Sequence, residues 1–185
     1  EMVDLARFAE EVHFDALSYS EHHFYTEGLE AGATPIPHLL NLLHHTKNIR
    51  VGPVGFVLPT WDPIRLAEDF ATVDHLTKGR VIFGIGRGYH TREVETFGAP
   101  LTDNEANREL FEEQVDIIFK AFNEKSFSYH GKFYDIPPKV MFRGYELEEI
   151  TLVPRPLNTP VECWQPIVSG SQRGLDFMVK HGIKG

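Results

Sequence analysis

Residues Val51–Tyr89 read VGPVGFVLPTWDPIRLAEDFATVDHLTKGRVIFGIGRGY, and the rhythm changes twice within them. The stretch opens with β-branched and apolar residues punctuated by glycine, which is strand composition. From Pro63, PIRLAEDFATVDHLT sets apolar residues at helical spacing. Proline falls in the first turn, where its missing N–H costs nothing. Lys78-Gly79 then closes the helix, because glycine readily takes the left-handed conformation of a helix end. RVIFGIG is strand again. Strand, helix and strand in this order form a βαβ unit with its two strands parallel.

The alternation extends in both directions. Upstream, MVDLARFAEEV (2–12) places Val3, Leu5, Ala6, Phe8, Ala9 and Val12 at helical spacing. FDALSYS (14–20) reads as a strand, Pro35 and Pro37 open a helix through HLLNLLHHT, and NIRVGPVGFVLPT (48–60) reads as the next strand. Downstream, NEANRELFEEQVDIIFKAF predicts an amphipathic helix from about Asn104 to Phe122, with Glu109, Glu112 and Glu113 on its wet side. Residues 123–160 leave the rhythm; FSYHGKFYDI predicts a hairpin around His130-Gly131. WQPIVSGS then resumes as a strand, and RGLDFMVKHG as a helix ended by Gly182. The expectation is an α/β fold on a parallel sheet, residues 1–185 forming a single domain.

Composition narrows the function classes. The chain has 185 residues, 42% of them hydrophobic and 24% charged, the balance of a globular domain. A net charge of −9 with no basic stripe argues against nucleic acid, whose phosphates call for clustered Lys and Arg. The one cysteine, Cys163, has no partner for a disulfide. No apolar run approaches the roughly 20 residues that cross a bilayer, and nothing at the start reads as a signal peptide. The expectation is a soluble, cytoplasmic protein without membrane contact.

Parallel sheets of this kind bind ligands at the carboxyl ends of their strands. Those ends carry Glu21-His22-His23, Val57-Leu58-Pro59-Thr60, Gly86-Arg87-Gly88-Tyr89 and Ser169-Gly170-Ser171. Each is polar, small or glycine-rich where the apolar run stops. Two imidazoles and a carboxylate also suit a metal ion. Adjacent strand residues point to opposite faces, however, so His22 and His23 are not expected to share one. GIGRG lacks the third glycine of a dinucleotide fingerprint, Tyr89 standing in its place. GSQRG is not the G-x-S-x-G of a hydrolase elbow.

EHHF at Glu21–Phe24, the block from Gly55 to Tyr89, and TLVPRP with PIVSGS together resemble the bacterial luciferase-like, flavin-dependent monooxygenases. The likeness runs from Glu1 to Lys184. It implies a (β/α)₈ TIM-type barrel that binds reduced FMN or, in some branches, a deazaflavin. The implied reaction uses O2 to oxygenate a small organic substrate, with reduced FMN delivered by a separate reductase. Two alternatives stay open: a deazaflavin-dependent dehydrogenase on the same fold, and a non-catalytic flavin-binding protein.

The resemblance also assigns roles. His22 becomes the catalytic imidazole, its ordinary pKa near 6.5 suiting proton transfer. Glu21 and His23 complete that cluster, Glu21 orienting the site or acting on the imidazole electrostatically. Arg87 would pair with the flavin phosphate, with Gly86 and Gly88 allowing close approach. Gly170, Ser171 and Gly174 would offer backbone N–H groups at a helix start to the same phosphate, although Ser171 equally suits an ordinary N-cap. Val54 and Gly55 fall where relatives carry a bulge with a non-prolyl cis peptide under the flavin ring; tight packing alone would also call for that glycine. His90 is expected near the mouth, and the other histidines on the surface or in structural roles.

A full barrel takes about 250 residues, and only four strands can be counted, ending near Ser20, Val57, Ile85 and Val168. With the strand that the resemblance implies before the first helix, the expectation is a partial barrel, strands two to five with their helices, incomplete at both ends. It is either a piece of a longer protein or a truncated member that covers its edges by pairing with another chain, as a homo- or heterodimer.

Overall fold

The computed structural model describes residues 1–27, 32–168 and 170–185. Four parallel strand runs lie side by side in chain order. Helix α1 (Met2–Glu11) leads into β1 (Ala16–Tyr19), and α2 (Pro35–His44) into β2 (Arg50–Pro53). β1 and β2 pair in parallel, Ala16 opposite Arg50 and Tyr19 opposite Pro53. After β3 (Phe56–Val57) comes α3 (Pro63–Leu76), then β4 (Phe83–Gly86). Val51 pairs with Val81, and Phe56 with Ile85, so both halves of the second run lie along the third.

The short α4 (Thr91–Val94) and the long α5 (Asn104–Asn123) follow, then two hairpins: β5 (Tyr129–His130) with β6 (Asp135–Ile136), and β7 (Met141–Phe142) with β8 (Tyr145–Glu146). The chain returns as β9 (Cys163–Trp164) against β4, Phe83 opposite Cys163. It then forms α6 (Gln172–His181) and brings Lys184 into a parallel bridge beside Trp164.

Local chemistry fixes the helix ends. Asp62 caps α3 through Arg65 N at 2.9 Å, with Pro63 at its first position. Asp103 caps α5 through the N–H groups of Glu105 and Ala106. Gly182, at φ 65°, ends α6, with Ile183 N bonded to Met178 O at 2.9 Å. Leu39, Leu42, Leu43, Val51, Leu66 and Phe83 form the apolar core. Phe70, Phe83 and Phe122 meet at its centre, their ring centroids 4.7–5.4 Å apart. No helix among the described residues is long and apolar enough to cross a membrane.

Three expectations need correction. The single strand read over 48–60 is two, broken at Val54–Gly55, where the cis peptide that the resemblance implied is present, and followed by a 3₁₀ turn at Leu58–Thr60. The strand read as WQPIVSGS pairs only at its start: Pro166 has no N–H to give a ladder, and Val168 is 91% exposed. Ser169 lies outside the described residues. Glu113, assigned to the wet side of α5, is buried and accepts the N–H groups of Lys132, Phe133 and Tyr134 at 2.8–3.0 Å, which holds the β5–β6 turn. On α1, Ala6 and Ala9 are buried, while Leu5, Phe8 and Val12 are exposed.

Candidate active site

Immediately after β1, the buried Glu21 carboxylate gathers donors from three directions. Val57 N reaches Oε2 at 2.8 Å, and the Trp61 indole reaches both oxygens at 2.9 and 3.1 Å. His23 Nε2 lies 2.9 Å from Oε1. This latch ties the end of β1 to the turn after β3, and it turns His23 away from its neighbour. His22 instead sets Nδ1 3.0 Å from Oε1 of Glu93, a buried carboxylate that also accepts His23 N–H at 3.1 Å. With Glu93 accepting at Nδ1, the His22 lone pair sits on Nε2. The Tyr89 hydroxyl stands 3.3 Å from that nitrogen.

His22 and Glu93 line a cavity of about 420 Å³, of the size that holds small molecules and cofactors. Val54, Gly55 and Gly86 line it from the sheet, and Arg87 and Arg108 from the loop after β4 and from α5. Gln165 to Val168, Gly170, Ser171 and Gly174 line it from the final crossover. The cavity thus gathers every expected site residue except His23, whose ring packs edge-on against Phe97 at 4.8 Å. His90 is not in the lining; its ring sits 5.4 Å from that of His22.

The same lining carries Arg87 and Arg108, with Glu112 Oε1 3.8 Å from Arg108 Nη1. Arg87 Nη1 donates to Asn107 Oδ1 at 3.0 Å, and Asn107 Nδ2 returns to Arg87 O at 3.3 Å. Partial burial, then the charges of Arg108 and Arg173, push the Arg87 guanidinium below its usual range, while Glu112 and Glu105 act the other way. Arg173 is committed outward to Glu105 and Glu112 at 2.7 and 2.9 Å. Beside Arg108 lies the start of α6, where Ser171 Oγ accepts Gly174 N at 3.3 Å. A second depression, of about 630 Å³ and lined by Leu40, His44 and Arg80, offers less chemistry. There the Arg80 guanidinium is committed to Leu43 O, Ile49 O and Thr46 Oγ1.

Glu93, Trp61 and Arg108 are the site residues that sequence reading missed. Glu93 lies 71 residues from His22 on a four-residue helix, too short to leave a periodic signal. Arg108 sits on α5, whose acidic residues dominate its polar face; an arginine one turn after a helix start beside the glycine-rich loop was the available clue.

Two features fit a phosphorylated ring cofactor. A Cβ built on Gly86 would meet nothing within 4 Å, so the cavity floor is open there. Gln165 Oε1 is buried without a hydrogen-bond partner in the protein, an acceptor available to a bound ring.

A cavity at the carboxyl ends of parallel strands, lined by an imidazole–carboxylate pair and by two arginines, is where an α/β fold of this kind places its small-molecule site. The chain belongs to the luciferase-like monooxygenase family, whose model matches residues 1–183. It is 38% identical over 123 residues to the alkanal monooxygenase alpha chain of the Kryptophanaron alfredi symbiont, covering 66% of this chain and 33% of that one. It is 36% identical over 172 residues to the alpha chain of Photobacterium leiognathi, covering 92% and 46%. The chain thus spans between a third and a half of these relatives.

Solved structures agree in fold. Monooxygenase RslO1 from Streptomyces bottropensis matches with a TM-score of 0.73 at 22% identity, over 88% of this chain and 45% of that one. The oxygenating constituent of Pseudomonas putida 3,6-diketocamphane monooxygenase, solved with FMN, matches at 0.67 and 22%, over 88% and 44%. An F420-dependent secondary alcohol dehydrogenase matches at 0.66 and 20%, over 88% and 46%.

Proposed function

We propose that this chain carries the flavin site of an FMN-dependent monooxygenase, in which reduced FMN and O2 oxygenate a small organic substrate. The observation that carries the reading is one cavity lined by both the His22–Glu93 pair and Arg87, Arg108 and the α6 start. Arg87 and Arg108 would hold the phosphate with the Ser171 hydroxyl and the first N–H groups of α6. A dianion there offsets the mutual repulsion of the arginines. Val54, Gly55 and Gly86 would floor the ring, and Gln165 Oε1 would accept a hydrogen bond from it. When bound, reduced flavin supplies the electrons that activate O2. His22 holds and moves the proton at Nε2, and Glu93 keeps Nδ1 protonated so that Nε2 stays the working atom. Glu21 and His23 position that pair without touching the reactants.

The four strands are an arc of a (β/α)₈ barrel, the second through fifth. Two features support this: parallel pairing in chain order, and a length between a third and a half of the relatives. The bare side of the arc would be covered by a second chain, in a homo- or heterodimer, and a separate reductase would supply reduced flavin.

Titration with FMN, followed by absorbance, should show saturable binding. Mixing the protein with reduced FMN and an alkanal, the substrate class in the relatives' name, should give protein-dependent O2 consumption. Failure to bind FMN would overturn the reading. A second reading, a deazaflavin-dependent dehydrogenase, is favoured by the likeness to the secondary alcohol dehydrogenase. It predicts tighter binding of the deazaflavin and substrate oxidation without O2.

A further inference from the structure

His90 and Glu93 stand three residues apart across the start of α4, and His22 meets them from the end of β1. One ligand atom from each lies within 4.8 Å of the other two. Two imidazole nitrogens and a carboxylate oxygen are the donors of a three-residue zinc site whose fourth position stays open. Tetrahedral zinc, with bonds of about 2.0–2.1 Å, sets its ligand atoms about 3.4 Å apart. His22 Nδ1 and Glu93 Oε1 already stand at 3.0 Å, so the remaining adjustment falls to His90. His90 is only partly buried, its ring against Tyr89 and Tyr25 at centroid distances of 3.9 and 5.4 Å. The outer contacts suit ligands too, since Glu93 also accepts His23 N–H and the second His22 nitrogen faces the Tyr89 hydroxyl.

We propose that His22, His90 and Glu93 form a binding site for a divalent transition metal ion, zinc by its donor set, and that the bound ion removes His22 from proton transfer. The ion takes the Nδ1 lone pair, so the ring proton moves to Nε2. That nitrogen then donates to the Tyr89 oxygen and no longer accepts a proton from the cavity. Binding stands on the geometry alone; inhibition rests on the proposed role of His22.

Calorimetric titration of flavin-free protein with Zn²⁺ should give one site per chain. His90→Ala and, separately, Glu93→Gln should each weaken it by more than about tenfold, with circular dichroism and FMN binding checking that the variants fold. Zn²⁺ should also stop O2 consumption in the wild type and EDTA restore it, while His90→Ala turns over with or without zinc. An affinity unchanged in His90→Ala would mean that only other surface groups bind zinc, and would overturn the site. Zinc bound through His90 with O2 consumption unaltered would overturn the inhibition while leaving the calorimetric result intact. Because calorimetry needs no flavin and no turnover, failure of the metal site and failure of the monooxygenase reading are read separately.

Discussion

Replacing His22 with alanine removes the imidazole yet leaves the arginine cup and the floor of the cavity in place. O2-dependent turnover should fall by roughly 10²–10⁴-fold, the usual cost of a lost acid–base group. FMN affinity should stay within a factor of a few, and an equal loss in both would make His22 a binding residue. Arg87 divides the other way. Arg87→Ala should weaken FMN by about 1.5–3 kcal/mol, the scale of a hydrogen bond to a charged group, and leave riboflavin, which lacks the phosphate, almost untouched. A riboflavin loss as large as that for FMN would remove Arg87 from the phosphate site. At this scale the sequence showed the residues better than their partners. Glu21 and His22 are adjacent in the chain, and the natural inference paired them. The fold instead gives each imidazole its own carboxylate, His23 to Glu21 and His22 to Glu93. Only tertiary packing could supply the second of these.

Glycine plays opposite parts in two neighbouring strands. A Cβ at Gly55 would strike the backbone of Ile85, so Gly55→Ala should lower stability by about 1–3 kcal/mol in a denaturant titration, as overpacking does. A side chain at Gly86 enters open space, so Gly86→Leu should keep the wild-type midpoint and lose FMN. If both variants unfold alike, the open floor at Gly86 is not a cofactor cradle.

Elsewhere, Glu10 near the end of α1 accepts the N–H groups of Lys47, Asn48 and Ile49 in the loop after α2. Those N–H groups, led by Asn48, hold its carboxyl below its ordinary value of 4.5. Its contribution is therefore complete above 4.5 and lost as pH falls through the lower folded value. Glu10→Ala should lower the Tm by about 2–4 °C near neutral pH, the shift for roughly 1 kcal/mol in a domain of this size. The gap should close in strong acid, and one that widened there would contradict the assignment. The helices were legible because Pro35, Pro63, Gly79 and Gly182 mark their ends. The strands were less so, since periodicity is blind to the break at Gly55 and to the early loss of pairing at Pro166.

Taken whole, the molecule presents apolar residues where a monomer would bury them. Leu5, Phe8, Val12 and Phe14 are exposed along and just beyond α1, Phe8 at 58%, and among the described residues β1 pairs with β2 alone. Such a face favours association. The chain should sediment as a dimer or larger species, and the double variant Leu5→Lys, Phe8→Lys should shift it toward monomer. Sedimentation unchanged by that variant would exclude α1 as the contact. The alternation of strand and helix was readable from Val51–Tyr89 outward, because each βα unit repeats the same grammar. The β7–β8 hairpin was not: its turn rests on Arg143 and Gly144, both at positive φ, and Arg-Gly is a weak turn signal.

Trp61 donates its indole N–H to the carboxylate that latches β1 to the turn after β3. The singlet excited state of indole shifts electron density from the pyrrole ring toward the benzene ring, so a negative charge at the nitrogen end lowers the transition energy. Trp61 emission is therefore red-shifted by Glu21 while the latch is closed. With Trp164, the other tryptophan, replaced by phenylalanine, the emission wavelength should gauge whether the end of β1 and the turn after β3 are in register, readable without any added dye.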